Sequence, residues 1–70
     1  MVVTTQVRMA NEIAAQFGHL PDDAVVDAVA EHLRSFWDPR MRTQLAAYVA
    51  AGGEGVDPLV AAAVARLGRQ

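Results

Sequence analysis

Cysteine and lysine are missing from this 70-residue chain, and serine and asparagine occur once each, as Ser35 and Asn11. Without cysteine there is no disulfide framework, no thiolate zinc site and no iron–sulfur cluster ligated by this chain in the usual way, and the cytosol is the expected compartment. Without lysine, all side-chain positive charge rests on six arginines set against eight carboxylates, a net charge of −2. No run of those arginines forms a phosphate-binding stripe, so nucleic acid is not the expected partner. No apolar stretch reaches the roughly 18 residues of a membrane span, and the first residues lack the charged start and continuous apolar core of a secretion signal. A soluble, uncleaved chain that touches no membrane is expected.

What is abundant is small and apolar. Fourteen alanines and ten valines dominate a hydrophobic fraction of 53%, the composition of a folded, helix-rich chain. Residues 1–70 make one helical domain, with fraying expected at about 1–4 and 68–70. A domain of this size buries only about 60% of its unfolded surface. It is expected to gain stability from a partner.

The apolar spacing is helical throughout, with no segment of strand alternation. Val7, Ala10, Ile13, Ala14 and Phe17 recur at three- and four-residue steps, predicting a first helix capped by Thr4 or Thr5 and closed by Gly18. Pro21, Asp22 and Asp23 then open a second helix, because proline stops the first and the two acids suit a helix N-terminus. Its predicted apolar face is Val25 or Val26, Val29, Leu33 and Phe36, with Ala30 and Trp37 at the edges. Glu31 and Arg34 are placed to pair on the polar side.

The stretch from Val29 to Arg42 holds the chain's most informative feature, Phe36-Trp37-Asp38-Pro39. Proline disfavours helical torsions at Asp38, so the second helix stops and Asp38 caps a third that starts at Pro39. Two large rings meet at that corner, one expected inward and one at the rim, with Arg34, Arg40 and Arg42 around them. Met41, Leu45, Tyr48 and Val49 give the third helix its apolar face, and the glycines at 52, 53 and 55 end it near Ala51. Those glycines form a turn. A phosphate loop would need a preceding strand and either a following Lys-Ser/Thr or a Gly-x-Gly-x-x-Gly pattern. Asp57-Pro58 repeats the capping solution and opens a fourth helix along Leu59, Val60, Ala63, Val64 and Leu67 to Gly68. The fold class is all-α, a small bundle of three to four short helices with Asp-Pro capped corners.

Catalytic chemistry finds no footing. His19 and His32 are thirteen residues apart with no fixed carboxylate partner, which is not a metal-ligand spacing. Ser35 has no evident base, and there is no paired-carboxylate or Ser-His-Asp set. No catalytic, cofactor-binding or metal-ligating residue is assigned. Arg40 and Arg42 are two positions apart on a helix and point about 200° away from each other, so they do not form one compact anion clamp. A protein partner suits the corner better, since Trp, Arg, Met and Tyr are enriched at interfaces and their hot spots.

Three stretches, R-M-A-N-E-I-A-A-Q-F at Arg8 to Phe17, V-A-E-H-L-R-S-F-W-D-P-R-M-R at Val29 to Arg42 and A-G-G-E-G-V-D-P-L-V at Ala51 to Val60, resemble the delta subunit of the soluble NAD-dependent formate dehydrogenase family. The F-W-D-P-R-M-R string is the most specific part. The resemblance implies a non-catalytic member of a cytoplasmic oxidoreductase complex, supporting assembly, cofactor retention or stability. In such complexes the alpha subunit carries a bis-pterin molybdenum or tungsten centre and iron–sulfur clusters, while the others carry FMN and further clusters and reduce NAD. The expected partner is the catalytic alpha subunit and its complex, met through Phe36, Trp37, Arg40, Met41 and Arg42, with Arg8, Met9 and Asn11 adjoining. In isolation an apolar surface left uncovered can pair two copies. The alternatives are a transient chaperone for pterin-cofactor insertion and a small helical nucleic-acid binder.

Overall fold

The computed structural model describes residues 2–68 and is helical in every regular element: α1 (Val2–Gln16), α2 (Asp22–Phe36), α3 (Pro39–Ala50) and α4 (Pro58–Gly68). Fraying at Met1, Arg69 and Gln70 lies outside the described residues. The all-α fold and the four-helix division agree with the sequence pattern. Two termini of α1 do not. The helix already runs through residues 2–5, so it starts before Thr4 and Thr5. At its other end Phe17 N–H donates to Ala14 O and Gly18 N–H to Ala15 O, tightening the last turn to i→i−3 bonds. Gly18 does not adopt a positive φ. Closure by the tightened turn makes a left-handed glycine unnecessary.

Both Asp-Pro corners behave alike. Asp38 Oδ1 accepts from Arg40 N–H at 2.7 Å, and Asp57 Oδ1 accepts from Leu59 N–H at 2.8 Å, each with proline in the first helical position. Between them, α3 ends in a paired closure in which Gly52 N–H donates to Val49 O and Gly53 N–H to Tyr48 O. Gly52 (φ 131°) and Gly53 (φ 62°) supply the positive torsions this closure needs. The Tyr48 hydroxyl then donates to Glu54 O at 2.6 Å, folding the connector against the helix it follows.

The core is built from the predicted stripes. Ala10, Ile13 and Ala14 of α1, Val25, Val26, Val29, Ala30 and Leu33 of α2, Leu45 of α3, and Val60, Ala63 and Val64 of α4 are buried together. Val7, Phe17, Met41, Val49, Leu59 and Leu67 pack half-buried around them. The most extensive packing joins α2 to α4, and the small residues on α4 let the helices approach closely. Asp27 of α2 pairs with Arg66 of α4 across this contact. The end of α4 also returns beside the start of α3, where Leu67 and Gly68 share a cavity wall with Pro39, Arg42 and Thr43.

Polar side chains secure α1. Asn11 Nδ2 donates to Gly55 O and Asn11 Oδ1 accepts from Asp57 N–H, both at 2.9 Å. Gln6, only 4% exposed, donates through Nε2 to Gln44 Oε1 at 2.6 Å, while its own Oε1 is buried with no donor. Position 6 of α1 therefore faces the middle of α3, and position 11 faces the connector beyond that helix.

Candidate docking corner between α2 and α3

The two rings part company at the corner, as the sequence suggested, but their assignment to the helix is reversed. A helical wheel puts Phe36 on the apolar face of α2 and Trp37 at its edge. Trp37 is 6% exposed and belongs to the core, whereas Phe36 is 76% exposed. The reason is that α2 stops one residue before the indole: Trp37 is extended (φ −91°, ψ 139°) and only its N–H, donating to Leu33 O, still belongs to the helical ladder. Freed from the 100° step of the helix, the larger ring turns inward. Phe36, the last helical residue, is left on the rim with its ring tilted by 37° against that of His32, 4.9 Å between centroids.

Charge around the corner is uneven. Glu31 is tied up locally, accepting from Arg34 and from the Ser35 hydroxyl, and these bonds together with the guanidinium charge hold its carboxyl below the usual carboxylate range. In contrast, α3 contains no carboxylate at all, and its first turn carries Arg40 and Arg42. A helix N-terminus favours anions, so these cations stand where the helix dipole adds to their potential. Arg40 is exposed. Arg42 is half-buried, and its Nε lacks an acceptor. A buried donor left this way costs about 1–3 kcal/mol.

Of the remaining sequence candidates, Met41 is half-buried against the core and Arg8 is exposed. Met9 is 39% exposed and is, with Phe36, one of the two large apolar side chains exposed among the described residues. Asn11 is not beside the corner. It is bonded to residues 55 and 57, beyond the far end of α3, and a twelve-residue helix is about 18 Å long. Phe36, Trp37, Arg40, Met41 and Arg42 are thus brought together in one turn-and-a-half of chain, while Asn11 does internal work elsewhere. The Gln6–Gln44 contact was missed from sequence, since glutamine on an amphipathic helix reads as solvated. No group of three or more His, Cys, Asp or Glu side chains among the described residues is arranged to hold a metal ion. No helix among them is long and apolar enough to cross a membrane.

The family model for the NADH-dependent formate dehydrogenase delta subunit, FdsD, matches residues 6–64. The chain belongs to the FdsD family. The match runs from the buried Gln6 through both Asp-Pro corners to the core residue Val64, so it takes in every fully buried residue among those described. No curated protein and no solved structure matches the chain. An FdsD chain is a formate dehydrogenase delta subunit, and its place is therefore in a complex with other subunits.

Proposed function

We propose that this FdsD chain is a non-catalytic subunit that supports assembly, cofactor retention or stability of a cytoplasmic NAD-dependent formate dehydrogenase, by docking its α2–α3 corner on the catalytic alpha subunit. The observation that carries the reading is Phe36, held 76% exposed at a corner whose backbone is fixed by the Asp38 cap and anchored by the buried Trp37. A rigid, exposed aromatic flanked by arginine is the kind of group that dominates interface energetics.

The chain's donor set does not suit the redox groups of such a complex. The chain has no cysteine to offer an iron–sulfur cluster, and no group of three or more His, Cys, Asp or Glu side chains gathers among the described residues. The bis-pterin molybdenum or tungsten centre, the clusters, FMN and the NAD site are assigned to the partner subunits. The role proposed for this chain is mechanical.

The test is copurification. In a co-expressed complex, Phe36→Ala with Arg40→Ala should release the chain on size exclusion and lower the metal content of the catalytic subunit. Unchanged stoichiometry and metal content would show that the corner is not the docking face. A chain present at fixed stoichiometry in the mature enzyme supports a subunit role, and its absence from active enzyme would instead indicate a transient chaperone.

A further inference from the structure

The four helices are not seated equally. α1, α2 and α4 each commit at least three buried apolar side chains to the core, whereas α3 commits Leu45 alone. Packing beneath α3 is also incomplete, since an open hollow of about 240 Å³ is left between Arg42 and Ala46 of α3 and Leu33, Val64 and Leu67 of its neighbours. The two buried side-chain polar atoms without a partner among the described residues lie at the same seat. Arg42 Nε belongs to α3, and Gln6 Oε1 is on the amide that reaches Gln44. Each carries a desolvation penalty that contact with water relieves.

The hydrogen bonds of residues 38–54 mostly close on the segment itself. Asp38 accepts from Arg40 N–H, the Thr43 hydroxyl donates to Pro39 O, the Tyr48 hydroxyl donates to Glu54 O, and Gly52 and Gly53 close the helix. Outward, the segment is joined by the Gln6–Gln44 bond and by Val56 N–H donating to Gly53 O. Its flanks are held by other elements. On one side Trp37 is buried with its N–H in the α2 ladder, and on the other Asn11 of α1 holds residues 55 and 57. α1 packs on α2 and α4 as well as on α3, so the contacts among those three survive if α3 leaves.

We propose that residues 38–54 open as a unit while α1, α2 and α4 stay packed. Off its seat, a twelve-residue helix is too short to persist in water and unfolds. Opening gives up the burial of Leu45 and the partial burial of Met41, Ala46 and Val49, and it hydrates Gln6 Oε1 and Arg42 Nε. Arg40, Met41 and Arg42 depart with the segment, whereas Phe36 and Trp37 remain with α2. The corner surface is accordingly whole only while α3 is seated, whatever partner it meets.

Native-state hydrogen exchange of the full chain, at urea concentrations below its midpoint, tests the proposal. Amides of α3 from Gln44 to Ala50 should exchange at least about tenfold faster than those of Val29 and Leu33 in α2 and Val64 in α4, with a weaker dependence on urea. Asn11→Ala removes the clasp on residues 55 and 57, a contact that the open form keeps. It should speed exchange in α2 and α4 but leave α3 within about twofold of the parent. Should that variant fail to fold, the urea dependence of the parent decides alone. Equal protection and equal urea dependence for the α3 and α2 amides overturn the proposal, as does an Asn11→Ala chain in which both sets speed up alike. Exchange at unfolded-chain rates throughout the parent also overturns it, since no packed remainder would then exist for α3 to leave.

Discussion

Phe36 and Trp37 are neighbours in the chain and opposites in the fold, so replacing each with alanine gives a direct test of the corner. Truncating a buried tryptophan costs about 3–5 kcal/mol, and at 6% exposure Trp37 should fall in that range. A domain of this length has a total stability of about 4–10 kcal/mol. Trp37→Ala therefore removes a third or more of it and should lower the melting midpoint by about 12–40 °C. Phe36→Ala removes a ring that is mostly in water, and alanine is the better helix former, so its effect should stay within about 0.5 kcal/mol. Circular dichroism melts of the two variants read the difference. The parent's single tryptophan adds a second probe, with blue-shifted emission when folded that moves to the red on unfolding. Equal losses for the two variants, or a Trp37→Ala midpoint near that of the parent, would refute the inward turn of the indole. The same contrast dictates the choice of docking mutants: Phe36 can be removed without unfolding the chain, Trp37 cannot.

Other substitutions test other parts of the fold. Gly52→Ala forces a Cβ onto a φ of 131° and should destabilise by about 1–2 kcal/mol, read as a lower urea midpoint with unchanged slope. Gln6→Met removes a buried carbonyl that has no donor and should raise stability by about 1 kcal/mol; a loss of that size would mean the Gln6–Gln44 bond outweighs the unpaired oxygen. Asp38→Ala deletes the α3 cap and should cost about 0.5–2 kcal/mol by chemical denaturation. Glu31, whose carboxyl is held low by Arg34 and Ser35, contributes stability above the ordinary carboxylate range and loses it as pH falls through its lowered folded value. Melting midpoints of Glu31→Gln and the parent should accordingly converge on acidification, and a constant gap would exclude the pair as the cause.

The parts of the fold that were legible from sequence are those set by local chemistry. Asp38-Pro39 and Asp57-Pro58 each specify a helix stop, a cap and a restart within two residues, and both corners form as the letters require. The apolar stripes of α1, α2 and α4 likewise follow from a 3.6-residue period. A helical wheel misplaces Phe36 and Trp37 because it continues through Trp37, whereas the chain leaves the helix there. Gly18 shows the same limit at the other connector: a glycine after a helix suggests a left-handed closure, yet a tightened last turn satisfies the terminal carbonyls first. Asn11 and Gln6 depend on partners 38 to 46 residues away, and no local pattern announces them. Belonging to the FdsD family was visible in the letters themselves, through F-W-D-P-R-M-R and its two companion stretches.

The clasp that Asn11 makes with residues 55 and 57 has a bearing on how the protein is born. Its first helix is synthesised well before the groups that hold it in place, which lie 44 and 46 residues further along, and α2 in turn waits for α4. Hardly any shorter length of nascent polypeptide has a native arrangement to adopt. Maturation of the bundle is consequently a single event that waits for α4.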